Sequence, residues 1–291
     1  MENILELNSV TKHYKGFTLD NVSLTIPAGF IAGMIGPNGA GKTTIIKLIM
    51  NLIRRDGGKI KVFGDDNLES EEKIKSRIGF VYDEPNFYND LKLNDLKNVV
   101  APFYKEWSDT KFVGLAEKFE LPLKKRFKKL SHGFKMKFWL AIALSHNADL
   151  IILDEPTAGL DPVFRRELLE HLSGIIQDEN KSVLFSTHIT SDLERIADYI
   201  IFIMNGKIVF STTKDEILEK WGIVKTGDEA LVEKNKELFN GIKKSRYRIE
   251  ALTYDINEAE KRFNSSSVIE KATLEDIMFF MKKGEKDESI N

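Results

Sequence analysis

The stretch "GPNGAGKT", Gly36 to Thr43, constrains this chain more than any other part of it. It matches G-x-x-x-x-G-K-[ST], and it stands between a β-rich segment, "FIAGMIG", and a run with helical apolar spacing, "KTTIIKLIMNLI". Strand, glycine loop and helix make a βα unit. A loop of this kind turns backbone N–H groups inward under a helix N-terminus, which is an economical way to hold the clustered negative charge of a polyphosphate. Gly36, Gly39 and Gly41 supply the backbone freedom and close approach. Lys42 reaches the β- and γ-phosphates, and the Thr43 hydroxyl is a Mg²⁺ ligand.

A βα unit needs a sheet to join, and the rest of the chain offers one. "ILELNSV" and "FTLDNVSLTI" read as strands ahead of the loop. "DLIILDEP" at 149 to 156 is an unbroken apolar strand of the kind buried on both faces of a parallel sheet. "KSVLFSTH" and "DYIIFIMNGKIVF" supply further strands, each preceded by a helical stretch, so the class is α/β. From about Asp83 to Asn147 helical patterns dominate, as in a helical insertion (about 84–147). After about Thr212 the texture turns charged and weakly periodic. A main domain over 1–211 and a small C-terminal α+β domain over 212–291 are expected, with strands at "SRYRIEAL" and "SSVIEKA". Thr273 and Asp276 stand at capping-box spacing ahead of a last helix carrying "IMFFMKK".

Composition narrows the function. Lysine plus arginine (43) nearly balances aspartate plus glutamate (45), so no global basic field calls for a nucleic-acid partner. The chain has no cysteine, which excludes disulfides, thiolate metal sites and cysteine nucleophiles. The start lacks the basic and apolar regions of a signal peptide. The apolar runs fall far short of the roughly 20 residues that span a bilayer.

Two further sites carry chemistry. Asp154 and Glu155 end the buried "LIILDEP" strand, where carboxylates face the ligand crevice of an open α/β sheet. There Asp154 can hold Mg²⁺ through its water shell, and Glu155 can polarise an attacking water as general base. Two adjacent acids can also simply end a strand. His188 follows another apolar strand, in "LFSTHIT", an unremarkable place for a histidine by itself.

Taken together, "GPNGAGKT", "LSHGF", "IILDEPTAGLD" and "STH", in this order and at these spacings, resemble the nucleotide-binding subunit of an ABC transporter over residues 1 to about 210. The tail ending "ATLEDIMFFM" is similar to that of bacterial drug, peptide and lantibiotic exporters. The resemblance implies a P-loop NTPase (RecA-like) core with an antiparallel β subdomain and a helical subdomain. It implies an ATPase using ATP and Mg²⁺, with Glu155, His188 and Lys42 catalytic. ATP would be held by Tyr14, stacking on adenine, and by the loop Gly36, Pro37, Asn38, Gly39, Ala40, Gly41, Lys42, Thr43 and Thr44. Ser131, His132 and Gly133 would touch the ATP of a partner chain, while Gly159 and Asp161 resemble a dimer-contacting loop. His188 resembles the switch histidine that senses the γ-phosphate. The implied partners are a second ATPase subunit, identical or related, and an integral membrane permease at the cytoplasmic face of the membrane.

The departures from that family are specific. Asp83 stands where the family has a glutamine that contacts Mg²⁺ and the attacking water. A carboxylate still binds Mg²⁺ but adds negative charge beside phosphate. In "LSHGF", His132 replaces a glycine and Phe134 a glutamine, while Ser131 and Gly133 remain. The signature is read as altered and serviceable. "LKKRFKKL", 123 to 130, reads as a solvated face, or else as a patch against anionic headgroups or an acidic permease loop. An alternative function is a soluble ABC-type ATPase of translation or DNA repair, although the single P-loop and the absence of a zinc module or long coiled coil argue against it. A GTPase is disfavoured because N-K-x-D is missing.

Overall fold

The computed structural model describes residues 2–82, 89–245, 248–263 and 267–288, with side chains as far as Lys282. The chain divides into two compact units, Met1–Ser211 and Thr212–Asn291.

The first unit begins with a long hairpin, β1 (Asn3–Tyr14) and β2 (Phe17–Pro27), followed by β3 (Ile31–Ile35), whose five residues are all buried. Next come α1 (Lys42–Ile49), β4 (Gly57–Val62), β5 (Asp65–Asp66), α2 (Glu71–Lys75) and β6 (Ile78–Val81). β1, β2, β4 and β5 form an antiparallel sheet in the order β2-β1-β4-β5. Sequence reading missed β4 to β6, because their apolar runs are short and half of β4 faces solvent.

A helical segment follows: α3 (Leu93–Val100), α4 (Asp109–Lys118) and α5 (His132–Leu144). The basic run ahead of α5 folds around the fully buried Phe127, and its charged neighbours point outward. Lys128 pairs with Asp90 at 2.5 Å, and Arg126 lies 3.6 Å from the same carboxylate.

The remaining elements of this unit are β7 (Leu150–Asp154), α6 (Pro162–Ile175), β8 (Ser182–Thr187), α7 (Thr190–Ile196), β9 (Tyr199–Met204) and β10 (Lys207–Thr213). They complete a six-stranded sheet in the order β10-β9-β3-β8-β7-β6. Its pairs β9/β3, β3/β8, β8/β7 and β7/β6 are all parallel. β7 and β8 are buried throughout, β7 as a near-continuous apolar run and β8 with Ser182, Ser186 and Thr187 buried beside its apolar centre. Ile45, Ile46 and Ile49 of α1 join one apolar cluster with Leu5, Leu7 and Val22 of the antiparallel sheet and Ile152 and Leu184 of the parallel one. That cluster anchors the helix that the glycine loop feeds.

The second unit contains α8 (Lys214–Lys220), β11 (Gly222–Thr226), α9 (Glu229–Lys234), β12 (Phe239–Lys244), β13 (Ile249–Thr253), α10 (Ile256–Arg262), β14 (Val268–Lys271) and α11 (Leu274–Glu288). From β11 to β14 the order is βαββαβ, and the antiparallel sheet runs β12-β13-β11-β14, the ferredoxin-like arrangement. Val224 and Ile249 on the sheet, Val232 on α9 and Ala259 on α10 share one core. α11 lies against β12 so closely that a Cβ at Gly241 would meet the Phe280 carbonyl oxygen at 2.9 Å. The capping box at its start is formed: Thr273 N–H donates to Asp276 Oδ2 at 3.0 Å, and Asp276 N–H to Thr273 Oγ1 at 3.1 Å. Ile277 and Phe280 are buried, whereas Phe279 is partly exposed.

Candidate nucleotide site

The C-terminal ends of β3, β8 and β7 lie side by side, and each delivers one component of a common crevice. β3 leads into the glycine loop. Gly41 ends that loop as the N-cap of α1 at φ 114°, with Leu19, Phe17 and Ile203 all near 3.1–3.2 Å from where a Cβ would stand. Both conformation and space demand glycine there.

Lys42 opens α1 and is 6% exposed. Its ammonium donates to the Gly36 carbonyl at 2.8 Å and the Pro37 carbonyl at 3.4 Å, and stands 3.3 Å from Glu155 Oε1. A buried cation is stable only with such partners. β7 delivers Asp154, 1% exposed, and then Glu155 at φ 48°, a region that non-glycine residues rarely enter. β8 delivers His188, whose Nδ1 lies 2.8 Å from Glu155 Oε2.

Ser186 links the acids, and sequence reading did not single it out. Its Oγ donates to Asp154 Oδ1 at 2.5 Å and accepts the Glu155 backbone N–H at 3.0 Å. No local spacing marks it, because its partners Asp154 and Glu155 lie more than thirty positions earlier.

A cavity of about 800 Å³ opens over this arrangement. Its wall includes Asn38, Gly39, Ala40, Thr43 and Thr44 from the loop and helix, together with Glu155, Ala158 and His188. The aromatic lining it is Phe17, beside Gly16. Tyr14, expected to stack on adenine, is 44% exposed with its ring centroid 6.4 Å from that of Phe17. Asp83, expected near Mg²⁺, lies outside the described residues. Among the described residues no cluster of three or more His, Asp or Glu side chains could hold a metal. Thr43 lines the cavity, and Asp154 lies buried at the end of β7 with Oδ1 on Ser186; a hydroxyl and a carboxylate are hard donors of the kind that suit Mg²⁺.

A second group gathers elsewhere in the same unit. Ser131 caps α5, its Oγ accepting the Phe134 N–H at 3.4 Å, and His132 and Gly133 form the first helical turn. His132 Cδ2 stands 3.4 Å from where a Cβ on Gly159 would be, and Leu160 Cδ2 lies 3.7 Å from one on Gly133. The helix start therefore meets the 155–161 loop, and neither Ser131, His132 nor Gly133 lines the cavity above Lys42. Asp161 caps α6 through the Val163 and Phe164 N–H groups at 3.1 and 3.0 Å. The Phe164 N–H beside it holds its carboxyl below the usual range.

A glycine loop between a parallel strand and a helix, paired acids at the end of β7 and a histidine just past the intervening strand β8 are the parts of a P-loop ATPase. The family model described as ABC transporter matches residues 19–158. The lantibiotic transport ATP-binding protein SrtF of Streptococcus pyogenes is 35% identical over 223 residues, spanning 73% of this chain and 92% of the relative. The chain belongs to the ABC transporter ATP-binding family, whose members bind and hydrolyse ATP to power transport. The bacitracin transport ATP-binding protein BcrA of Bacillus licheniformis is 32% identical, over 76% of this chain and 73% of its own. A solved ATP-binding subunit of an ABC transporter is 28% identical and superimposes with a TM-score of 0.65 over 74% of this chain and 91% of that one. Cassettes of this family dimerise and work with transporter partners. No helix among the described residues is long and apolar enough to cross a membrane.

Proposed function

We propose that this chain is the ATP-hydrolysing subunit of an exporter, acting as a head-to-tail dimer on a separate membrane permease at the cytoplasmic face of the membrane. The observation that carries the reading is the position of Glu155, held between Lys42 and His188 at the mouth of the glycine loop. Export is supported by the relatives named for lantibiotic and bacitracin transport.

In this reading ATP enters over Gly36–Thr44, with its base against Tyr14 and Phe17. Its phosphates draw Lys42 away from Glu155, because three phosphate charges outweigh one carboxylate. The freed Glu155 carboxylate accepts a proton from the attacking water, while His188, released from the same carboxylate, turns its ring N–H to the γ-phosphate. Mg²⁺, when bound, neutralises charge on the β- and γ-phosphate oxygens, and Thr43 and Asp154, with Asp83, are the residues that would hold it. Ser131, His132 and Gly133 complete the partner's site at the N-terminus of α5. Gly159 and Asp161 lie on the loop facing that partner.

The test is the Mg²⁺-dependent ATPase rate per chain as protein concentration rises, with Glu155→Gln as the blank. A rate that climbs with concentration and vanishes in the variant supports composite sites between two identical chains. A rate that stays at the blank while ATP binds means that a permease or an unlike subunit completes the site. Co-purification of a multi-span protein from solubilised membranes tests the permease; ribosomes or DNA in its place would overturn it.

A further inference from the structure

The loop after β7 is joined to the segment after β8 by two contacts. One is the Glu155–His188 pair. The other lies behind it, where Thr157 Oγ1 donates to Asp192 Oδ2 at 2.7 Å. Asp192 stands in the first turn of α7 and is 1% exposed. Its second oxygen accepts Arg165 Nε–H at 2.7 Å, and the same guanidinium donates to Ser191 Oγ at 2.9 Å.

A carboxylate buried this deeply needs a partner on each oxygen, and it has one. One of those partners lies within the 155–161 loop and the other just beyond it. Thr157 belongs to the loop itself, and Arg165 to the helix that Asp161 caps. Asp192 in turn rides on the helix that begins two residues after His188. One buried group thus ties the loop carrying Glu155 to the segment carrying His188.

Glu155 needs such a tie. At φ 48° its backbone persists only where its surroundings over-determine it. Ser186 fixes its N–H, and the Thr157 contact fixes the chain two residues further on.

We propose that Asp192 is a positioning residue for ATP hydrolysis, holding the 155–161 loop through Thr157 so that the Glu155 carboxylate stays aligned with His188 and the attacking water. The proposal rests on the reading of Glu155 as general base. If Asp192 were only a stabilising ion-pair partner for Arg165, the Thr157 hydroxyl would not matter to turnover.

The experiment measures kcat, KM for ATP and thermal midpoint in the full chain for T157V, T157S and D192N, with Glu155→Gln alongside. T157V keeps the side-chain volume and removes the hydroxyl; T157S returns it. T157V is expected to lose about tenfold in kcat, or 1.4 kcal/mol of barrier, with KM close to the parent and a lowered thermal midpoint, because Asp192 Oδ2 loses its partner; kcat is therefore measured well below every midpoint. T157S is expected to stay within about twofold, and D192N, which keeps an acceptor for Thr157, to retain more turnover than T157V. Unchanged kcat in T157V, equal losses in T157V and T157S, or a kcat loss in T157V that disappears at temperatures well below its midpoint would each overturn the proposal. Full turnover in Glu155→Gln would overturn the general-base reading and this inference together; a silent Glu155→Gln beside a fully active T157V would overturn this inference alone.

Discussion

Glu155 is shared between two partners: Lys42 Nζ stands 3.3 Å from one carboxylate oxygen and His188 Nδ1 2.8 Å from the other. A γ-phosphate in the crevice would compete with the carboxylate for both partners. Glu155→Gln removes the proton acceptor but keeps the shape and a hydrogen-bonding group. Turnover is expected to fall by about 100-fold or more, while ATP binding and ATP-dependent dimer formation persist. Rapid-quench hydrolysis alongside equilibrium nucleotide binding separates the two. Turnover within threefold of the parent would remove Glu155 from the role of base.

Lys42 makes a different prediction because its contacts are with the loop it must serve. Its ammonium bonds to the carbonyls of Gly36 and Pro37, the loop that the proposed function assigns to the phosphates. Lys42→Ala should lower ATP affinity by at least tenfold, since a buried charged contact to phosphate is lost. The loss should be smaller for ADP than for ATP, because the lysine reaches toward the γ-phosphate. Titration calorimetry with both nucleotides checks this, and equal losses would place Lys42 away from the γ-phosphate.

Gly133 separates the needs of one chain from those of two. Its φ is not positive, and an added Cβ would meet only Leu160 Cδ2 at an ordinary 3.7 Å, so nothing in a single chain requires glycine. Gly133→Asp should fold with a thermal midpoint near that of the parent. It should nevertheless fail to form the ATP-dependent dimer, because the new carboxylate would face the partner's phosphates. His132→Gly should leave turnover within about threefold, since the altered signature is read as serviceable. Light scattering with ATP in the Glu155→Gln background reports dimerisation without hydrolysis. A Gly133→Asp chain that still dimerised would mean that α5 does not face the partner's nucleotide.

Much of this site was legible because it is built from residues whose chemistry and spacing survive in one dimension. The glycine loop and the acids closing an apolar strand were marked by motif and periodicity, whereas His188 stood out only through the family resemblance. Phe17 escaped notice because strand hairpin geometry, rather than local spacing, brings it over Gly41. Ser186 and Asp192 escaped for a related reason, since each acts on a residue more than thirty positions earlier. In the second unit β11 and β12 were hidden by short, interrupted apolar runs, and the sheet order that makes the unit ferredoxin-like depends on pairings far apart in sequence.

His146 predicts how the fold responds to acid. It is 3% exposed, its ring stacks on Tyr104 at 3.8 Å between centroids, and its Nε2 has no hydrogen-bond partner. Burial, with Lys181 and Lys111 adding positive charge, pushes its pKa down to about 4 from the ordinary 6.5. Between those values the unfolded chain holds a proton that the folded chain refuses, so the stability from this site is complete above about pH 6.5 and is lost as pH falls toward 4. At 1.36 kcal/mol per pH unit, moving from pH 6.5 to pH 5 should cost the parent about 2 kcal/mol more than His146→Phe, which keeps the stacked ring and cannot titrate. Denaturation of both proteins at pH 7.5 and pH 5 isolates this contribution, because the carboxylates that also titrate are common to the two. An identical loss in parent and variant would mean that His146 becomes protonated without leaving the folded state.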